Sequence, residues 1–529
     1  METKKILVAD TIAQNGIALL DAEAQFEVDV SIGLGEAELC ERVADADAIV
    51  VRSATQVTDK VIESGRRLKV IGRAGIGVDN IDVQCATEHG IVVLNTPDAN
   101  ATTTAELAIA HILSLSRHLP NADASVRAGE WKRAKFIGAE VAGKTLGIIG
   151  YGTIGRIVAS RALGLKLRVI AHDPYVSAGV FEQEGVESEE LEKLIAESDY
   201  ISLHCPVTDS TRNLLNAERL ATVKSGARII NCARGGLIDE LALYAALKQG
   251  GLAGAALDVY AEEPPAGSPL FELSNIVFTP HLGASTEEAQ EAVSVEITNQ
   301  VATFLTSGEP INAVNIPRVS ASALGRSRPY QELAFRLARL MALMAPKALS
   351  QVEVSLNGRA AALDTHPVAV EALVGLLGEH LSTPVNQVNA VHIAKRQGIA
   401  LVETRSEETS EYLSLITVAG CYPGGEIVVS GTLYDDRHPR LVTIDRYEME
   451  AHLEGHLLIT MHEDKPGVIG ALGAVLGEAD VNITRMQVGT ADNSNSAVAV
   501  MEISEPLGER IIQKVDGLAA IRKTIQISM

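Results

Sequence analysis

The feature that most restricts this chain is the run Gly150-Tyr151-Gly152-Thr153-Ile154-Gly155, because of what stands on either side of it. Leu146-Gly147-Ile148-Ile149 reads as a buried strand before it, and residues 156–161 open a helix after it. Glycine turns alone are common and signify little. Between a strand and a helix the three glycines have separate tasks. Gly150 permits the tight turn, Gly152 lets the backbone approach a pyrophosphate, and Gly155 lets the helix pack against the strand; the helix N-terminus faces the phosphates. An acidic residue is expected roughly 20 residues on, at the end of the next strand. Asp173, after Val169-Ile170-Ala171-His172, fills that place. Its carboxylate suits ribose hydroxyls and repels a 2′-phosphate, so the expected cofactor is NAD.

Around this motif the chain alternates short apolar runs with amphipathic stretches, the pattern of parallel sheets with helical crossovers. Strands are predicted at 6–9, 26–30, 48–51, 69–72 and 91–94, with helices at 36–44 and 59–67 among them. A long helix follows over 101–119, capped by Thr102, Thr103 or Thr104, with Glu106 as the capping-box partner of Thr103. A second series places strands at 145–149, 168–172, 200–203, 228–231, 254–258 and 276–278. A second long helix covers 287–305 and ends near Gly308, and Asn315-Ile316-Pro317-Arg318 reads as an exit from the compact unit. Residues 318–453 show mixed α and β patterns without a chemical motif. Residues 454–529 read as strand, helix, two strands, helix and strand. Periodicity alone indicates two consecutive α/β units.

Composition narrows the class. At 529 residues the chain exceeds what one core supports, so several domains are expected. A net charge of −23 disfavours nucleic acid and anionic membranes as partners. The five cysteines have no paired or metal-binding spacing, which predicts reduced thiols, no metal site and a cytoplasmic setting. Residues 1–10 show no leader pattern, and no apolar run reaches the roughly 20 residues of a membrane span.

Arg234, Glu263 and His281 each follow a predicted strand of the second series, where the carboxyl ends of parallel strands line a ligand crevice. Oxidising a secondary alcohol requires a base for the hydroxyl proton, a carboxylate that orients it, and a cation for the substrate's own carboxylate. Histidine, glutamate and arginine supply these in turn. Spacing alone leaves the structural and catalytic readings of these three residues evenly matched.

The runs Gly150–Gly155, Asn231-Cys232-Ala233-Arg234-Gly235-Gly236, Leu257-Asp258-Val259 with Glu263-Pro264, and Thr279-Pro280-His281-Leu282-Gly283 resemble the signatures of the D-2-hydroxyacid dehydrogenases. The resemblance covers the first ~317 residues. It implies two doubly wound parallel-sheet lobes: a flavodoxin-like substrate domain (1–100 and 285–317) with an inserted Rossmann NAD domain (101–284). It also implies that Gly150, Gly152, Thr153, Ile154, Gly155, Asp173, Cys205, Pro206, Ala233, Asp258, His281 and Gly283 bind the cofactor, with Arg234, Glu263 and His281 catalytic.

Val51-Arg52-Ser53, Gly72-Arg73-Ala74-Gly75-Ile76-Gly77 and Asn95-Thr96-Pro97 with Asn100 resemble the phosphoglycerate-oxidising branch of that family. There Arg52, Ser53, Gly75, Ile76 and Asn100 match pocket positions for 3-phosphoglycerate. Arg133, in the basic run Trp131-Lys132-Arg133, matches a residue that reaches a neighbouring subunit's site in a homotetramer. His462-Glu463-Asp464-Lys465-Pro466-Gly467 and Asn482 resemble the βαββαβ ACT module, where His462, Asp464 and Asn482 would contact an L-serine effector. An α+β intervening domain (318–453) would then precede an ACT domain (454–529), and 2-oxoglutarate reduction is the implied side activity. Glyoxylate or lactate dehydrogenases of the same family carry the same catalytic set, as do non-enzymatic NAD-sensing corepressors of this fold. The pocket arginines and the ACT unit weigh against both.

Overall fold

The computed structural model describes residues 3–316, 321–381, 384–409, 411–491 and 495–529, with side chains in the helix Ala321–Met344 from residue 326 onward. The exit expected at Pro317-Arg318, and with it the 317/318 boundary, lies outside the described residues.

The first sheet comprises β1 (Lys4–Val8), β2 (Phe26–Val30), β3 (Ala48–Val51), β4 (Val70–Arg73) and β5 (Val92–Asn95), in the order β2-β1-β3-β4-β5. Every residue of β3 and β5 is buried, as expected for strands covered on both faces. The helix Glu287–Ser307 returns to this lobe. A Cβ on Gly16, in the helix Gln14–Asp21, would lie 2.9 Å from the Ser294 carbonyl oxygen, and one on Gly72, in β4, would lie 2.7 Å from Val301, so the returning helix packs closely on both. Thus the chain leaves the first lobe and comes back, which local periodicity does not reveal.

The second sheet contains β6 (Thr145–Ile149), β7 (Arg168–His172), β8 (Glu187–Ser188), β9 (Tyr200–Leu203), β10 (Ala227–Asn231), β11 (Leu252–Leu257) and β12 (Ile276–Phe278). All neighbours are parallel, in the order β12-β11-β10-β9-β6-β7-β8. The order reverses at β6, so the glycine turn after β6 sits where such sheets open a crevice. The seventh strand, two residues long, is one more than the sequence pattern indicates.

The long helices differ in detail from expectation. The first runs Ala101–Arg117 with Asn100 at its N-cap, and no threonine caps it. Thr103 lies within the helix and pairs with Thr286 at 3.3 Å, while Thr104 donates to the Gly283 carbonyl at 2.8 Å. The hydroxyls serve a tertiary contact and not the helix end. His118, at φ 53°, then breaks the chain into a second helix, Leu119–Arg127. The helix Glu287–Ser307 ends at Gly308 in the left-handed conformation, as expected.

The third sheet takes β13 (Gln351–Gly358), β14 (Ala400–Ser406), β15 (Ser414–Tyr422), β16 (Gly425–Tyr434), β17 (His438–Ile444) and β18 (Tyr447–His452), ordered β14-β13-β15-β16-β17-β18 and antiparallel except for β13–β14. The fourth has β19 (His456–Glu463), β20 (Ile483–Thr490), β21 (Ser496–Ile503) and β22 (Ile521–Ser528), ordered β20-β21-β19-β22 with two helices between strands, a βαββαβ unit. One apolar core includes Val354 and Ile416 of the third sheet and Ile459 and Val500 of the fourth.

By internal contacts the chain forms two compact units. One holds the residues up to Gln56, Ile71–Asn80 and Leu94–Asn312; the other holds Val57–Val70, Ile81–Val93 and the residues from Ala313 onward. Within the second, Asn386 donates to the Gly90 carbonyl at 2.8 Å, and Asn315 accepts from Val93 and donates to Ile91, each at 2.9 Å. All five cysteines are free. Among the described residues no helix is long and apolar enough to cross a membrane.

Candidate active site

The glycine turn has the geometry its sequence requires. Gly150 adopts φ 95°, and a Cβ there would lie 2.6 Å from the His204 carbonyl. A Cβ on Gly155 would lie 2.2 Å from the Gly150 oxygen, so helix and strand meet only because both positions lack side chains. Gly152 opens onto free space and is the N-cap of the helix Thr153–Gly164, which no side chain caps. The unpaired amides of that first turn therefore face an open seat suited to a pyrophosphate. Asp173 ends at the same turn: Oδ2 accepts from the Tyr151 amide at 2.8 Å and Oδ1 from the Tyr175 amide at 2.9 Å. Ile154 packs in the core beneath. Cys205 and Pro206 follow β9, and burial pushes the Cys205 thiol up to about 11. Ala233 follows β10, its amide donating to Asn231 at 3.1 Å. These residues occupy the carboxyl edge of one sheet and fit a dinucleotide.

At the neighbouring strand ends, His281 Nδ1 lies 2.7 Å from Glu263 Oε2. Glu263 is itself held, since Oε1 accepts from the Tyr260 amide at 3.1 Å. His281 has φ 53°, a conformation few side chains adopt. Asp258, fully buried, maintains it. Its carbonyl accepts from the His281 amide at 2.9 Å, and its carboxylate accepts from Thr279, Leu282 and Gly283 at 2.6, 2.7 and 2.9 Å. Asp258 thus acts beneath the 279–283 loop.

Gly235, next to Arg234, abuts Tyr260, whose amide holds Glu263; a Cβ on Gly235 would lie 1.7 Å from the Tyr260 oxygen. Arg234 Nε donates to Asp79 at 3.1 Å and its Nη1 to the Ala233 carbonyl at 2.7 Å. Beside it lies Arg73, which the motif contains but the sequence reading did not select. Burial first, and then the charge of Arg234, with Arg52 adding to it, lowers Arg73 to about 10. Its Nε is buried without a partner. The glycines make room for these cations: a Cβ on Gly75 would lie 1.5 Å from Arg73 Nη1, and one on Gly77 would lie 2.0 Å from Arg234 Nη2. The signal was available, since Arg73 closes β4 much as Arg234 follows β10.

Arg52 completes the cluster. Asp10 holds its loop by accepting from the amides of Arg52 and Thr55 at 2.6 and 3.1 Å, and Asn80 donates to the Arg52 carbonyl at 2.7 Å. Ser53 is exposed on the same loop, and the Ile76 carbonyl accepts from Asn95 at 2.7 Å. Asn100 is buried with Oδ1 unpartnered. Arg133 stands exposed on the turn Arg133–Phe136, near the exposed apolar side chains of Trp131 and Ile137.

The three expected effector residues differ in burial. His462, buried on β19, lines a cavity of about 410 Å³ with Asp445, Arg446, Tyr447, Ser496 and Arg522, across which Tyr447 and Ser496 share a 2.6 Å hydrogen bond. Asp464 and Asn482 are exposed and do not line this cavity.

Residues 109–283 match the model of the D-isomer specific 2-hydroxyacid dehydrogenase NAD-binding domain, residues 326–445 that of the D-3-phosphoglycerate dehydrogenase intervening domain, and residues 456–519 that of the ACT domain. The D-3-phosphoglycerate dehydrogenase of Synechocystis is 42% identical, over 99% of this chain and 95% of its own length; that of Methanocaldococcus jannaschii is 40% identical over 99% and 100%. Among solved structures, a glyoxylate reductase from Paecilomyes thermophila superposes with a TM-score of 0.55 at 31% identity, covering 59% of this chain and 99% of its own. The D-lactate dehydrogenase of Aquifex aeolicus, complexed with NAD and lactic acid, gives a TM-score of 0.53 at 26% identity, covering 60% and 100%. The chain belongs to the D-3-phosphoglycerate dehydrogenase family of NAD-dependent D-2-hydroxyacid dehydrogenases.

Proposed function

We propose that this chain oxidises 3-phospho-D-glycerate to 3-phosphooxypyruvate, the first step of L-serine biosynthesis, with L-serine as feedback inhibitor. Bound NAD supplies the acceptor for the C2 hydride. His281 takes the hydroxyl proton at Nε2, because its Nδ1–H donates to Glu263, which fixes the tautomer. Arg234 pairs with the substrate carboxylate and C2 oxygen, and exchanges its bond to Asp79 for that contact. Arg52, Arg73 and Arg133 of the partner subunit hold the phosphate, with Ser53, Gly75, Ile76 and Asn100 shaping the pocket. The observation that carries this reading is the crowding of Arg52, Arg73 and Arg234, a cationic cluster that Asp79 and Asp10 offset only in part, together with the histidine–carboxylate pair. Such a cluster suits a substrate with anions at both ends, and 2-oxoglutarate is the expected side substrate.

The remaining roles follow the same reading. Residues 1–100 and 285–317 bind substrate, 101–284 bind NAD, 318–453 form the intervening domain, and 454–529 form the regulatory ACT domain, where His462, Asp464 and Asn482 receive serine. The exposed Leu119, Val126, Trp131 and Ile137 support assembly through the cofactor domains into a tetramer, in the cytoplasm. The test is NADH oxidation on adding 3-phosphooxypyruvate, with and without L-serine. Fast turnover suppressed by serine is expected. Turnover indifferent to serine removes the effector, and no turnover removes the substrate.

A further inference from the structure

Asp98 has no part in the chemistry above, yet it stands at the cofactor seat. It lies between β5 and the helix Ala101–Arg117, exposed, and its Oδ1 accepts from the Thr153 hydroxyl at 3.1 Å. Thr153 is the first residue of the helix Thr153–Gly164, whose N-terminus has no cap of its own. A carboxylate is favoured in that place for the reason a pyrophosphate is: both meet the positive end of the helix dipole. The charge of Asp98 is also felt further in, since the part-buried Glu296 carboxyl is raised by burial and then by Asp98.

We propose that Asp98 is a resident carboxylate at the pyrophosphate seat, lowering the affinity for NAD and NADH alike and so speeding exchange of the cofactor. The inference rests on the cofactor reading of the glycine turn. While the seat is open, Asp98 holds the Thr153 hydroxyl and neutralises part of the helix end. When a diphosphate is bound, the same carboxylate faces a second anion. At separations on the order of 6 Å in water, a unit charge facing two costs roughly tenfold in affinity, and salt reduces this. Both oxidation states carry the same diphosphate, so the penalty leaves the redox equilibrium alone and acts on dissociation. In enzymes limited by product release, that step sets turnover.

The test compares D98N with the parent chain at low salt. NADH binding is followed by fluorescence titration and its dissociation by stopped flow, with ADP-ribose and adenosine as calorimetric probes. D98N should bind NADH and ADP-ribose about five- to tenfold tighter and release NADH correspondingly more slowly, with adenosine unchanged. D98A, which loses charge and acceptor together, should match it. NADH affinities within twofold of the parent, or an equal gain for uncharged adenosine, overturn the proposal. Absence of NADH binding by parent and variant alike overturns it too, by removing the seat itself.

Discussion

Replacing Arg73 by methionine should make the free protein more stable and the enzyme worse. Arg73 keeps a charge in a part-buried position beside Arg52 and Arg234, with a buried Nε that no group accepts. Its folded-state pKa, about 10, lies below the ordinary arginine value. The sign follows: a base that releases its proton more readily when folded costs stability at every pH below about 10, where it is charged in both states. The displacement corresponds to roughly 3 kcal/mol, and partial solvent access reduces it to about 1–3 kcal/mol. Methionine fills similar volume without charge, so the free protein should gain stability of that order. A bound dianion repays the charge in the parent and not in the variant. Loss of a charge-assisted contact of about 1.5–3 kcal/mol should lower kcat/KM for 3-phosphooxypyruvate by roughly 10- to 150-fold. Differential scanning calorimetry with and without substrate, together with NADH-oxidation kinetics, reads both effects. A less stable free R73M protein with KM within threefold of the parent would refute the account.

His281→Ala should lower turnover by about 10³-fold while NADH still binds by fluorescence titration; unchanged turnover removes His281 as the base. Glu263→Gln loses the carboxylate that orients the imidazole, so the pH–rate profile should move and turnover should fall about tenfold or more. A profile that stays in place dissolves the pairing. Burial lowers His204 to about 4, below its ordinary 6.5. The unfolded chain therefore takes up the proton first as pH falls, and stability present above pH 6.5 drains away towards pH 4. The loss should reach about 2 kcal/mol at pH 5, measured as a urea midpoint, and His204→Asn should flatten that slope.

The sequence made legible what depends on neighbouring residues. The strands around the glycine turn were readable because each is an unbroken apolar run bounded by turn residues, and β6, β7, β9 and β12 fall on their predicted limits. Arg234, Glu263 and His281 stood out because each comes after such a strand, but their proposed roles came from the family resemblance. Contacts set by distant residues were not. Thr103 matches a capping pattern, yet its hydroxyl goes to Thr286, 183 residues away. The break at His118 needs a left-handed residue, and its one local sign is Pro120, which opens the helix that follows. Arg73 and Asp79 look like ordinary surface charges until the glycines between them bring two guanidinium groups to the backbone. The return of the chain to the first sheet is likewise a property of packing, and only the family resemblance suggested it.

The loop that carries His281 shows how a buried acid can fix the position of a side chain above it. A histidine at φ 53° is strained, and strain persists only where surrounding bonds over-determine it. Asp258 supplies them: one carbonyl and two carboxylate oxygens take four hydrogen bonds from residues 279–283. A carboxylate without solvent is costly unless hydrogen-bonded, so the loop and the acid stabilise each other. Tyr260 adds a second brace, its hydroxyl donating to the Thr279 carbonyl at 2.8 Å while its amide holds Glu263. One buried network therefore fixes both the imidazole and the carboxylate that orients it. Their 2.7 Å contact is thereby held in place, the preorganisation that the proposed proton transfer would use.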